Sequence, residues 1–159
     1  MTAAFIGLGS NLDGPASQID KAVASIGSLP ESAVVAVSCY YQSAPLGPVD
    51  QPDFVNAVIR VDTGLMATDL LQLLHGIERA QGRIRRERWG PRTIDLDLLV
   101  HGDTVSSSTR LRLPHPGIAA RNFVLLPLRE IAPDLKIPGI GCVADIAVDE
   151  SDPPIVCLG

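Results

Sequence analysis

Lysine is almost missing from this sequence: Lys21 and Lys136 are the only two among 159 residues. Aromatic residues are scarce as well, at 4%, which disfavours a sheet that stacks successive RNA bases on exposed rings. Acidic residues outnumber basic ones, eighteen to thirteen, for a net charge of −5. A general electrostatic surface for nucleic acid is therefore not expected. No apolar run approaches the roughly 18 residues of a membrane span. No basic residue precedes Lys21, so the first residues do not resemble a secretory leader. The three cysteines, Cys39, Cys142 and Cys157, are scattered and form no CxxC pair. That spacing argues against a zinc site or a disulfide framework and suits a reducing, cytoplasmic setting.

Nucleotide motifs of the common kinds are missing too. There is no GxxxxGK[ST] segment. Gly7 and Gly9 begin a GxG, but Leu12 stands where the dinucleotide fingerprint needs its third glycine.

What the chain does contain is an ordinary globular balance, 46% hydrophobic and 19% charged, on a length that suits one domain over 1–159. Its positive charge is concentrated. Six of the eleven arginines lie between Arg79 and Arg92, with Glu87 as the only acid among them. Arginine's rigid fork matches phosphate oxygens better than a lysine point charge. An arginine-rich segment on an acidic protein thus points to a small anionic ligand, against the plainer possibility of a solvated charged loop.

Periodicity gives the element order. Ala3–Leu8 is a strand, and Ile19, Val23 and Ile26 recur at helical spacing between Pro15 and Gly27. Ala33–Tyr41 is rich in β-branched residues and predicts a second strand. Residues 43–53 hold three prolines and a glycine, a long loop of the functional kind. Phe54–Asp62 alternates, with Val55, Ala57, Ile59 and Val61 on one face and Phe54, Asn56, Val58 and Arg60 on the other. Thr68–Gln81 is helical with Gly82 as its stop, and Thr93–Val100 is a strand. A short helix is expected near Phe123–Ile131. The order implies an α+β, ferredoxin-like βαββαβ antiparallel sheet with both helices on one face, and additional C-terminal elements over 101–159.

Asp95 and Asp97 are two apart on a strand, so their carboxylates share a face with Cα atoms about 7 Å apart. Leu96 and Leu98 take the opposite, core face. Neighbouring carboxylates repel unless a cation neutralises them, and hydrated Mg²⁺ shared with phosphates is a common solution. The plain alternative is a strand with a wet polar face. Phe54 and Asn56 could stack and hydrogen-bond a flat heterocycle. His115 could donate to a phosphate, though a lone loop histidine is more often a surface residue.

The segment Arg88 to Leu99, RWGPRTIDLDLL, resembles the signature of the 6-hydroxymethyl-7,8-dihydropterin pyrophosphokinase family. Gly9-Ser10-Asn11-Leu12, the segment SAPLGPVDQPDFVN from Ser43 to Asn56, and Leu113-Pro114-His115 with Arg121-Asn122-Phe123 agree in order and spacing. The resemblance implies Mg²⁺-dependent transfer of pyrophosphate from ATP to the pterin hydroxymethyl oxygen, with release of AMP, in folate biosynthesis. It assigns two Mg²⁺ ions to Asp95 and Asp97, with Arg83 and Arg92 as catalytic companions. For ATP it implies His75, Glu78, Arg83, Arg85, Arg88, Trp89, Arg92, Leu98, Leu111, Arg112, His115 and Arg121. For the pterin it implies Ser43, Ala44, Leu46, Phe54, Asn56, Trp89 and Phe123. It also implies a monomer that acts on small molecules, with no nucleic-acid or membrane partner. Four features depart from familiar members: an arginine segment one residue shorter, His75 in place of Gln, Phe54 in place of Tyr, and Pro116 in place of another Tyr. The rival reading is a non-catalytic ferredoxin-like nucleotide- or RNA-binding module.

Overall fold

The computed structural model describes residues 1–44, 50–82, 93–151 and 153–158. Along the chain come β1 (Thr2–Ser10), α1 (Pro15–Gly27), β2 (Ser32–Val37), β3 (Tyr41–Ser43), β4 (Phe54–Thr63), α2 (Ala67–Ala80) and β5 (Asp95–His101). They are followed by β6 (Ser106–Ser107), β7 (Arg112–Leu113), α3 (Asn122–Ile131), β8 (Lys136–Ile137), β9 (Gly141–Cys142) and β10 (Ile155–Cys157). The architecture is α+β, an antiparallel sheet with three helices among the described residues. The main sheet runs β10-β3-β4-β1-β5, and β2 also pairs with β4.

Local chemistry accounts for the helix ends. Pro15 opens α1, where a missing N–H costs nothing. Gly82 follows α2 at φ 83°, a conformation that suits glycine, and its N–H bonds to the Arg79 carbonyl. That stop lies directly before the arginine-rich segment. None of the described helices is long and apolar enough to cross a membrane.

Two apolar layers enclose the sheet. On one face Ile19, Ala22 and Ile26 of α1 and Leu70, Leu74 and Ile77 of α2 pack on Ala4, Ile6, Leu8, Ala57, Ile59, Val61, Leu96 and Leu98. On the other, Val124, Leu125 and Leu128 of α3 pack with Ile118, Ile137 and Val143 on Phe5, Val58, Leu99 and Val100. Fully burying each Leu or Ile contributes roughly 1.5–3 kcal/mol. The alternation expected along β4 therefore holds.

Three expectations need correction. The strand predicted over 33–41 is two strands. Ser38 interrupts it: its N–H bonds to the Val58 carbonyl while its Oγ accepts the Val58 N–H and donates to the Cys39 carbonyl. The side chain thereby replaces part of the ladder, as serine can. The strand predicted over 93–100 begins at Asp95, and its alternation breaks near the end. Phe5 pairs with Val100 but Ile6 pairs with Leu98, so Leu99 is an extra residue and Val100 joins the α3 side. Finally, the cysteines are not all free. Cys39 and Cys157 form a disulfide that fixes β10 beside β3, leaving Cys142 as the free thiol. Their distance of 118 residues along the chain carried no sign of this.

Candidate active site

The site is built on the middle of the sheet, where glycine leaves space. In the antiparallel ladder Gly9 pairs with Asn56 on one side and Asp95 on the other. Gly7 pairs likewise with Val58 and Asp97. Directly opposed residues point to the same side, so Asn56, Asp95 and Asp97 share the α3 face. Between them the two glycines form a floor without side chains. With strands about 4.8 Å apart, Asn56 and Asp95 stand roughly 10 Å from each other, two strands apart.

Both aspartates are half-buried, whereas Leu96 and Leu98 are buried in the helical layer. The expected orientation is therefore correct. No group of three His, Cys, Asp or Glu residues is placed to hold a metal among the described residues. Two hard carboxylates on one face fit Mg²⁺ shared with water and phosphate.

The pterin candidates lie along the same face. Asn56 is buried and its Nδ2 donates to Ser43 Oγ at 3.3 Å. Ser43 pairs with Phe54, which is half-buried at the start of β4. Phe123, half-buried in the first turn of α3, packs against the apolar layer on that side. Ala44 follows Ser43 and is half-buried.

His115 precedes α3 and lies between opposing charges. Its ring is held below the ordinary 6.5, chiefly by burial and then by Arg121, with Asp95 acting in the opposite direction. The Gly117 N–H donates to its Nδ1 at 3.0 Å. A neutral ring therefore carries its proton on Nε2. Arg121 is half-buried immediately before α3, and Arg112 is exposed on β7.

A pocket of about 940 Å³ opens beside α2, lined by Leu71, His75, Glu78 and Arg79 together with Arg110 and Leu111. It unites three of the nucleotide candidates, His75, Glu78 and Leu111. Leu98 is buried in the layer that α2 covers. Leu71, His75, Glu78 and Arg79 recur at helical spacing, the signal by which Leu71 and Arg79 could have been included. Leu46, Arg83, Arg85, Arg88, Trp89 and Arg92 lie outside the described residues.

The turn after β1 holds roles that residue chemistry alone did not single out. Ser10 Oγ donates to the Thr93 carbonyl, at the end of the arginine-rich segment. Asn11 Nδ2 donates to Gln51 Oε1 at 2.8 Å and to the Pro52 carbonyl at 3.0 Å, at the end of the proline-rich loop. One buried dipeptide thus holds Thr93 on one side and Gln51-Pro52 on the other.

A sequence model of the 7,8-dihydro-6-hydroxymethylpterin-pyrophosphokinase (HPPK) family matches residues 5–133. The chain belongs to this family. It is 52% identical over 134 residues to the 2-amino-4-hydroxy-6-hydroxymethyldihydropteridine pyrophosphokinase of Pseudomonas aeruginosa, covering 84% of this chain and 83% of that one. To the protein of the same name from Haemophilus influenzae it is 42% identical over 158 residues, 99% of each chain. Its fold resembles the crystal structure of wild-type Plasmodium falciparum HPPK-DHPS with pteroate, with a TM-score of 0.70 at 13% identity. That likeness spans 91% of this chain and 43% of the larger one.

Proposed function

We propose that this HPPK transfers pyrophosphate from ATP to the hydroxymethyl group of 6-hydroxymethyl-7,8-dihydropterin, a step of folate biosynthesis. The observation that carries the reading is the row Asn56, Gly9, Asp95, which spaces an edge-reading amide and a carboxylate pair across an open floor. The hydroxymethyl oxygen attacks the β-phosphorus of ATP. The bond from that phosphorus to the α,β-bridging oxygen breaks, AMP leaves, and the hydroxyl proton passes to solvent.

Asn56 reads the pyrimidine edge of the pterin, its orientation fixed by Ser43. Phe54 and Phe123 take the two faces of the ring system, Ser43 and Leu46 offer backbone groups, and Ala44 completes the pterin set. Asp95 and Asp97 would hold two Mg²⁺ ions, which when bound supply charge neutralisation at the transferred group and polarise the attacking hydroxyl. His75, Glu78, Leu98, Leu111 and Arg112 border the nucleoside. His115, neutral near pH 7, offers its Nε2–H to a phosphate oxygen, and Arg121 adds charge beside it. Arg83, Arg85, Arg88 and Arg92 meet the triphosphate, and Trp89 covers the pterin. Positioning and charge supply the catalysis, without a dedicated general base.

We place this activity in the cytoplasm, in a monomer whose residues 1–159 act as one domain with a ferredoxin-like core. The test is AMP release from ATP. The reading predicts release only when Mg²⁺ and the hydroxymethylpterin are both present. Nucleotide binding without pterin-dependent AMP release would overturn it and favour a binding module.

A further inference from the structure

Among the described residues β5 is the last strand of the main sheet, paired with β1. No described strand of that sheet flanks its outer edge. The N–H of Leu96 is buried and donates to Oε2 of Glu78 at 2.9 Å. Leu96 is the residue between Asp95 and Asp97. Glu78 is on α2, 3% exposed, within the layer made by Leu70, Leu74 and Ile77. Burying a carboxylate is costly unless it is well hydrogen-bonded, and a charged acceptor makes a stronger bond to an N–H than a neutral one does. The same carboxylate lines the pocket beside α2.

We propose that Glu78 is a positioning residue for the metal-holding pair: through the Leu96 N–H it fixes the backbone between Asp95 and Asp97 against the helix that lines the nucleotide pocket. The inference deepens the reading of Asp95 and Asp97 given above and rests on it. Glu78 acts as an acceptor. It sets where the two carboxylates stand relative to the nucleotide. Positioning partners of this kind typically change metal affinity by about 10–100-fold when lost.

Two variants separate the acceptor from the charge. Glu78→Gln keeps an oxygen that can accept the Leu96 N–H. Glu78→Met fills similar space without an acceptor, and a parent-like circular dichroism spectrum shows that it folds. Two quantities are measured on the full chain: Mn²⁺ affinity in the presence of a non-hydrolysable ATP analogue, and hydrogen exchange of the Leu96 amide. Glu78→Met should weaken Mn²⁺ uptake roughly tenfold or more and speed exchange at Leu96. Glu78→Gln should keep Leu96 protected and lose clearly less Mn²⁺ affinity than Glu78→Met. Parent-like Mn²⁺ affinity in Glu78→Met overturns the proposal. So does a Glu78→Gln protein that loses as much Mn²⁺ affinity as Glu78→Met while Leu96 stays protected, because the acceptor would then not be the operative property. Rapid exchange at Leu96 in the unaltered protein also overturns it. If the unaltered protein takes up no Mn²⁺ beside the nucleotide analogue, the assignment of Asp95 and Asp97 itself fails, and this inference with it.

Discussion

A Cβ at position 9 would lie 2.7 Å from Oδ1 of Asn56. Gly9 is therefore a requirement of the amide's position, and the amide cannot move freely because its Nδ2 is held by Ser43. Gly7 is different: the nearest atoms a Cβ there would meet belong to the Leu99 side chain, at 3.6 Å.

The contrast yields a paired prediction. Gly9→Ala should fold and raise the pterin KM about tenfold, the consequence of losing well-aligned hydrogen bonds worth on the order of 1–2 kcal/mol. Gly7→Ala should leave that KM within about twofold, since its added methyl makes ordinary contacts and spares those bonds. Steady-state kinetics at saturating ATP checks both. An unchanged KM in Gly9→Ala would detach Asn56 from pterin recognition.

His115 gives a prediction in pH. Its folded-state value is depressed below 6.5 by burial and Arg121, so between the two values the unfolded chain binds the proton and the native one does not. The stability contributed by the neutral ring is therefore complete above pH 6.5 and is lost as pH falls through the folded value. Imidazole NMR of the free protein should show titration below 6.5. His115→Gln should flatten the fall in stability on acidification. Titration at or above 6.5 would contradict the described surroundings of the ring.

The Cys39–Cys157 bond ties the C-terminal strand to β3, and β3 leads into Ser43. Asn122 holds the same tail by donating to the carbonyls of Asp149 and Pro153. A cross-link closing so long a loop typically stabilises by about 2–4 kcal/mol. Denaturant unfolding of the Cys39→Ser, Cys157→Ser protein should show a loss of that order, matched by the parent in thiol reductant. Equal stability with and without reductant would mean the thiols do not pair in solution, as expected of most cytoplasmic cysteines.

How far the chain announced this structure depended on whether a signal was local. Leu96 and Leu98 are apolar alternates in a short strand, and they sufficed to turn Asp95 and Asp97 to the open face. Val55, Ala57, Ile59 and Val61 did the same for Asn56. Ser38 broke a strand that its β-branched neighbours favoured, because its hydroxyl engages Val58, twenty residues away. The extra residue at Leu99 depends on the register with β1, and the Cys39–Cys157 pairing on the whole topology. The bond from Glu78 to Leu96 is likewise invisible until helix and strand are packed together. Periodicity reports which face a residue takes, not which distant backbone group it meets.

The central claim is that Asp95 and Asp97 seat the divalent ions that bring ATP to the alcohol. Calorimetric titration of Mg²⁺ with a non-hydrolysable ATP analogue, into the parent, Asp95→Asn and Asp97→Asn proteins, tests it most directly. The account predicts nucleotide-linked Mg²⁺ uptake by the parent and its loss in both folded variants. Variants that bind Mg²⁺ and nucleotide as the parent does would contradict it.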